Sequence, residues 1–216
     1  MTLGDGPFPI AIDGPGSSGK SSIGGRLARD LDLPFLDTGL LYRAVGRALA
    51  ADELDDPEAA AAAARAIVPE NLDEAALANE DVGARASKVA AMPEVRAALF
   101  ELQRRFALRP GGAVVVGRDI ATAIVPEAPV KIFITAATAV RAERRFRQLR
   151  DRAAAVIHSD VLAELRRRDD RDATRRAAPL QVAPDALLLD TTRLDFEEAV
   201  AVARSFIDER VARARC

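Results

Sequence analysis

The sequence predicts a three-layer α/β/α domain built on a parallel five-stranded sheet. Apolar runs of strand length alternate with longer stretches of helical period, the pattern of strands joined by crossover helices. A glycine-rich turn joins the first run to the first helix. The chain then closes on a long amphipathic stripe that needs a sheet to cover it. At 216 residues, 49% hydrophobic and 30% charged, it can bury a sizeable core, and its length fits one domain with appendages.

The expected strands are residues 8–13, 34–37, 113–117, 130–135 and 186–190. Helical spacing covers 20–30, 40–51, 58–67, one or two segments within 74–108, then 138–152, 160–168 or beyond, and 196–212. In the last of these Phe196, Ala199, Val200, Ala203, Phe206, Ile207 and Val211 fall on one stripe. The alanine run 59–64 is explained by helix propensity alone. Residues 69–86 are acidic and weakly patterned, and read as an insertion beside the core.

Composition excludes several functions. A net charge of -2 gives no global field for nucleic acid or an anionic membrane. Cys216 is the only cysteine and His158 the only histidine, so a disulfide framework, a cysteine metal cluster, a His-dependent triad and a multi-His site are all out of reach. A strand and glycine loop within the first twenty residues leave no room for a signal peptide, and no apolar run nears bilayer length. The expectation is a cytoplasmic protein in a reducing compartment.

The sharpest chemical signal is GPGSSGKSS, comprising Gly14, Pro15, Gly16, Ser17, Ser18, Gly19, Lys20, Ser21 and Ser22. It fits G-x-x-x-x-G-K-[ST], follows an expected strand and opens an expected helix. Glycines let successive amides point at phosphate oxygens, and the helix N-terminus adds its positive end. Lys20 would reach the β and γ phosphates of ATP, and Ser21 would ligate Mg²⁺.

Phosphate transfer needs an acceptor as well, and three constellations bear on it. LDTGLLYR places Thr38 where a hydroxyl could cap a helix or face a ligand, and Arg43 where a forked cation could meet a phosphate. VVVGRDIAT brings Arg118 and Asp119 to the carboxyl end of a buried strand, where open α/β sheets bind ligands. RRRDDRDATRRAAPL puts Arg168, Arg171, Asp172 and Arg175 on one helical face, either a solvated salt-bridge array or an anion site.

Arg141, Arg144, Arg145 and Gln148 repeat that spacing upstream. Two polyanionic substrates repel each other, and phosphoryl transfer is largely positioning and charge stabilisation, so gathered arginines suit it. Arg118, Arg145 and Arg175 join Lys20 as the expected catalytic cations. Segment 150–160, between two Arg-bearing helices, is the expected mobile lid.

These residues resemble the bacterial cytidylate kinases. IDGPGSSGKSS, FLDTGLLYR, ASKVAAMPEVR, VGRDIATAIVPEAPVKIF and RRDDRDATRRAAPL carry the likeness over nearly the whole chain. The resemblance implies a P-loop kinase fold with a core of about 1–56, 109–149 and 176–216, an acceptor-binding helical insertion of about 57–108 and an Arg-rich lid of about 150–175. It implies transfer of the γ-phosphoryl group of ATP to CMP or dCMP, by a monomer with no nucleic-acid or membrane partner. Ser87, Arg96 and Asp119 would read the cytosine base; Thr38, Arg168 and Asp172 would surround the ribose; Arg43, Arg118 and Arg175 would hold the acceptor phosphate. Lys20 and Ser21 fall on the ATP and Mg²⁺ side. By themselves Ser87 and Arg96 read as ordinary helix-surface residues.

Three positions depart from the family pattern: Val116 stands where an acid is usual, Thr38 replaces serine, and Ala121 replaces glycine. The insertion after Pro69 is shorter than in longer members. A kinase for UMP, AMP or a small hydroxylated metabolite keeps the phosphate-loop reading but not the base contacts. A non-catalytic nucleotide switch keeps the loop and leaves the arginines idle.

Overall fold

The computed structural model describes residues 6–151 and 156–214. Among them β1 (Pro9–Asp13), β2 (Phe35–Asp37), β3 (Ala113–Gly117), β4 (Val130–Thr135) and β5 (Leu187–Asp190) form one sheet in the order β2-β3-β1-β4-β5. Every pairing is parallel. The chain leaves β1 toward β2 and β3 on one side and crosses to β4 and β5 on the other. The carboxyl end of β1 therefore lies where the strand order reverses, the place where such sheets bind ligands.

The described α-helices are α1 (Lys20–Leu31), α2 (Thr38–Ala48), α3 (Pro57–Arg65), α4 (Glu80–Val89), α5 (Pro93–Ala107), α6 (Thr138–Arg150), α7 (His158–Thr174) and α8 (Phe196–Ala214). Strand side chains alternate between two cores. Ile10, Ile12, Val114, Val116, Ile132 and Ile134 pack with Ile23 and Leu27 of α1 and with Ala203 and Ile207 of α8. Ala11 and Val115 face the other way, onto Leu41 and Val45 of α2, Val89 of α4 and Leu99 of α5. Both faces are covered, which is why β3 reads as an unbroken apolar run.

The strands lie where the apolar runs predict, with β1, β2 and β5 each beginning one residue later. α2 differs more: it begins at Thr38 and ends at Ala48. Its N-cap is Asp37, whose Oδ1 accepts the Gly39 amide at 2.9 Å, so the capping role open to Thr38 belongs to its neighbour. At the other end Leu49 is extended and buried, turning the chain out of the helix.

The acidic stretch 69–86 is more regular than its pattern implies. Asn79 caps α4 by accepting the Val82 amide at 2.8 Å. α4 then lies so close to α2 that a Cβ on Gly46 would sit 2.9 Å from the Ala86 amide nitrogen. Small residues make this contact, so it leaves little hydrophobic periodicity to read. Phe196 of the expected α8 stripe, the first residue of the helix, is 42% exposed, whereas Ala199, Val200, Ala203, Ile207 and Val211 are buried. No described helix is long and apolar enough to cross a membrane. Part of the expected lid, 152–155, and Cys216 lie outside the described residues.

Candidate active site

Beyond Asp13 the chain turns sharply through Gly14 at φ 151°, where a Cβ would lie 2.0 Å from the Ile134 carbonyl oxygen. Only glycine fits there. Ser17 and Gly19 also take positive φ, and α1 starts at Lys20 with no side chain capping its first turn. Those amides are the orphan donors of a helix N-terminus, directed at a cleft of about 260 Å³. Gly16, Ser17, Gly19, Lys20, Ser21 and Ser22 line one wall, and Arg43, Arg118, Arg145 and Arg168 line the other. Pro15 lies behind, its carbonyl accepting Lys20 Nζ at 3.1 Å. Ser18 Oγ is buried without a hydrogen-bond partner.

The electrostatics favour an anion. Burial, reinforced by Arg118, pushes the Lys20 ammonium well below its ordinary range. Burial and Arg118 likewise push Arg168 down to about 10, and its Nε is buried without a partner. Arg43 is lowered by burial and then by Arg145. Each of these cations is desolvated beside others of like sign, an arrangement that phosphate oxygens would relieve.

A second cavity, about 40 Å³, opens beside the first. Thr38, Tyr42, Ser87, Asp119, Asp172 and Arg175 line it. Gly39, Arg118 and Arg168 belong to both walls. The sequence-predicted acceptor residues thus converge from α2, α4, α7 and the turn after β3, with two exceptions. Arg96 lines neither cavity and stands behind Asp119, with which it forms a buried ion pair, its NH1 also 3.4 Å from the Tyr42 hydroxyl. Arg43 belongs to the first cleft, its NH1 donating to the Leu77 and Asn79 carbonyls at 2.7 and 3.1 Å.

Arg175 is the C-cap of α7, with extended ψ, and so leaves the helical face on which its spacing placed it. It is nevertheless buried, and its NH2 donates to Asp119 Oδ1 at 3.0 Å. Ser87 and Arg96, which read as surface positions, are also enclosed: Ser87 is 5% exposed and accepts Arg171 NH1 at 2.5 Å. Arg145 is engaged by Glu80, whose Oε1 accepts its Nε at 2.6 Å.

Two departures from the family pattern resolve in the packing. Val116 is wholly buried and points at α1, where a Cβ on Gly24 would lie 2.6 Å from its Cγ2. Its carbonyl, not its side chain, meets the site, accepting the Thr38 hydroxyl at 2.9 Å. Ala121 donates its amide to Asp13 Oδ2 at 2.8 Å with its methyl in the core, so the close backbone approach is made despite the added carbon.

Sequence reasoning missed several participants. Tyr42 lines the second cavity one residue from Arg43. Arg141 is buried, donates to the Gly16 carbonyl at 3.1 Å and pairs with Asp169 at 2.7 Å, joining the glycine loop to α7. Asp13 accepts the Ile120 and Ala121 amides, both at 2.8 Å, and burial raises its carboxyl to about 7. The visible signal for Arg141 was its place in the arginine spacing. Nothing marked Asp13, a strand-end acid like many others.

Comparison with known proteins agrees with this geometry. A family model described as Cytidylate kinase matches residues 10–209. The chain is 54% identical over 200 residues to a cytidylate kinase of Azorhizobium caulinodans, covering 92% of this chain and 97% of that one. It is 53% identical over 201 residues to a cytidylate kinase of Methylocella silvestris, covering 92% and 93%. In fold it is similar to a shikimate kinase from Bacteroides thetaiotaomicron, at a TM-score of 0.52 and 13% identity over 94% of this chain and 97% of that one.

Proposed function

Since the chain belongs to the cytidylate kinase family, it is a phosphotransferase, and we propose that it carries the γ-phosphoryl group of ATP to CMP or dCMP across the two joined cavities. The observation that carries this reading is the shared wall. Arg118 and Arg168 line both the cleft of the glycine loop and the cavity of Thr38, Ser87 and Asp119. An acceptor phosphate placed between them would face the γ phosphorus in line.

In this reading the loop amides and Lys20 hold the ATP phosphates, while Arg43, Arg118 and Arg175 hold and orient the acceptor phosphate. Arg145 and Lys20 balance charge as it spreads over the transferring oxygens. Thr38, Arg168 and Asp172 surround the ribose, and Ser87 and Asp119 read the base, with Arg96 holding Asp119 from behind. No side chain need act as a strong base, because the acceptor phosphate is already ionised.

The residues present fit a Mg²⁺ ion held jointly with ATP. Ser21 and Asp37 line the phosphate cleft, and no described cluster of three His, Cys, Asp or Glu would bind a metal by itself. Ser21 and Asp37 would help to hold Mg²⁺, which when bound would offset phosphate charge. We read the protein as a monomer, and the lone cysteine suits the cytoplasm.

A coupled assay of ADP release with ATP-Mg²⁺ and CMP, dCMP, UMP or AMP in turn tests the proposal, with a no-acceptor control. A rate dependent on CMP or dCMP and far lower with the others is expected. Equal rates with UMP or AMP would remove the base assignments, and no acceptor-dependent rate would remove the transfer reading.

A further inference from the structure

Three residues of the insertion, Leu77, Asn79 and Glu80, engage two arginines of the phosphate cleft. Arg43 NH1 donates to the Leu77 and Asn79 carbonyls. Arg145, on α6, donates Nε to Glu80 Oε1 at 2.6 Å and places NH2 2.5 Å from the same oxygen. Its remaining arm, NH1, donates to Gln148 Oε1 at 2.7 Å. Glu80 and Arg145 both line the cleft that Lys20, Arg118 and Arg168 line.

The two attachments differ in kind. A backbone carbonyl carries only partial charge, so Arg43 has no carboxylate directly on its guanidinium, and Asp37 and Glu80 act on it only through space. Glu80 instead gives Arg145 one charged carboxylate oxygen shared by Nε and NH2, the same kind of partner that a phosphate oxygen offers. Arg145's side chain is 14% exposed and Glu80's 47%, so the acid can swing to solvent and the arginine cannot. Glu80 stands in the first turn of α4, and Arg145 on α6, so the pair also ties the insertion to the arm that leads into α7.

We infer that Glu80 is a positioning residue that acts through Arg145: its carboxylate occupies that guanidinium as an internal substitute for a phosphate oxygen, and polyphosphate must displace it to be bound. This rests on the kinase reading of the cleft. Two consequences follow. Glu80 lowers the resting affinity of the cleft for polyphosphate, and Arg145 reaches the transferring group only when the pair opens.

The test is calorimetric titration with inorganic tripolyphosphate, which needs neither acceptor nor turnover. Wild type, Glu80→Gln, Glu80→Asp, Arg145→Gln and the double variant Glu80→Gln/Arg145→Gln are compared at one ionic strength. Glu80→Gln is expected to bind about three- to fivefold more tightly, the scale of a partly exposed ion pair. Glu80→Asp is expected to stay near wild type, and the gain is expected to shrink to less than half in the Arg145→Gln background. Unchanged or weaker binding by Glu80→Gln would overturn the inference, as would a gain of equal size without Arg145, which would mark a general field effect. Failure of wild type to bind tripolyphosphate would instead strike at the cleft reading itself.

Discussion

Arg118, which follows β3, donates its Nε to Asp172 Oδ2 on α7 at 2.8 Å, with side-chain exposures of 15% and 7%. Burial alone would raise the Asp172 carboxyl, but Arg118 and then Arg168 outweigh it and hold the group below the ordinary range. One carboxylate thus stands against two cations that line both cavities, and it fixes α7 to the edge of the sheet where substrates would meet.

Replacing Asp172 by alanine leaves Arg118 and Arg168 facing each other without a counter-charge. Breaking a buried pair from one side costs about 3 kcal/mol. Urea unfolding of Asp172→Ala without nucleotide should show a loss of that order. A loss within experimental error of zero would mean that solvent already screens the pair.

Lys20→Ala should lower kcat by roughly a thousandfold, the scale of losing a preorganised charge at the transferring group. Its melting temperature should hold or rise, because a desolvated ammonium among like charges is removed. Steady-state rates and a thermal melt on the same preparation decide this. A destabilised variant that still turns over would reverse both roles.

Arg96 supports Asp119 from behind the cavity, so its loss should disturb base selection more than phosphate binding. Arg96→Ala should reduce kcat/KM for CMP by about ten- to a hundredfold, the scale of a charged hydrogen bond, and for UMP much less. Equal losses with both acceptors would remove Arg96 from base recognition.

Asp13 carries a pH signature. Its folded-state value of about 7 lies above its ordinary 3.8, so the folded protein holds this proton more tightly than the unfolded chain. The contribution to stability is full below about pH 3.8 and is lost as pH rises to about 7. The difference in unfolding free energy, wild type minus Asp13→Asn, should therefore be larger at pH 5 than at pH 8. The opposite order would contradict the burial of that carboxyl.

Legibility followed the physical range of each signal. β3 could be read because five consecutive apolar residues have one explanation in a covered sheet, and GPGSSGKSS because its glycines and lysine answer a single ligand shape. Ser87 could not be read: on α4 it looks like any polar residue, and only Arg171, 84 residues away in sequence, encloses it. Arg96 and Asp13 are of the same kind, their partners being brought near by the sheet. The α4 contact with α2 was hidden for a different reason, since small residues allow close approach without a hydrophobic pattern.

By itself the sequence determined the parallel sheet, the glycine loop at the end of its first strand and the supply of arginines, because these depend on local periodicity and on spacing within one segment. Only the tertiary structure decided which arginines share a wall, that Asp37 rather than Thr38 caps α2, that Val116 turns into the core, and that Glu80 holds Arg145. Those outcomes depend on side chains distant in sequence competing for the same space and the same charge, and that competition is settled only when the elements pack.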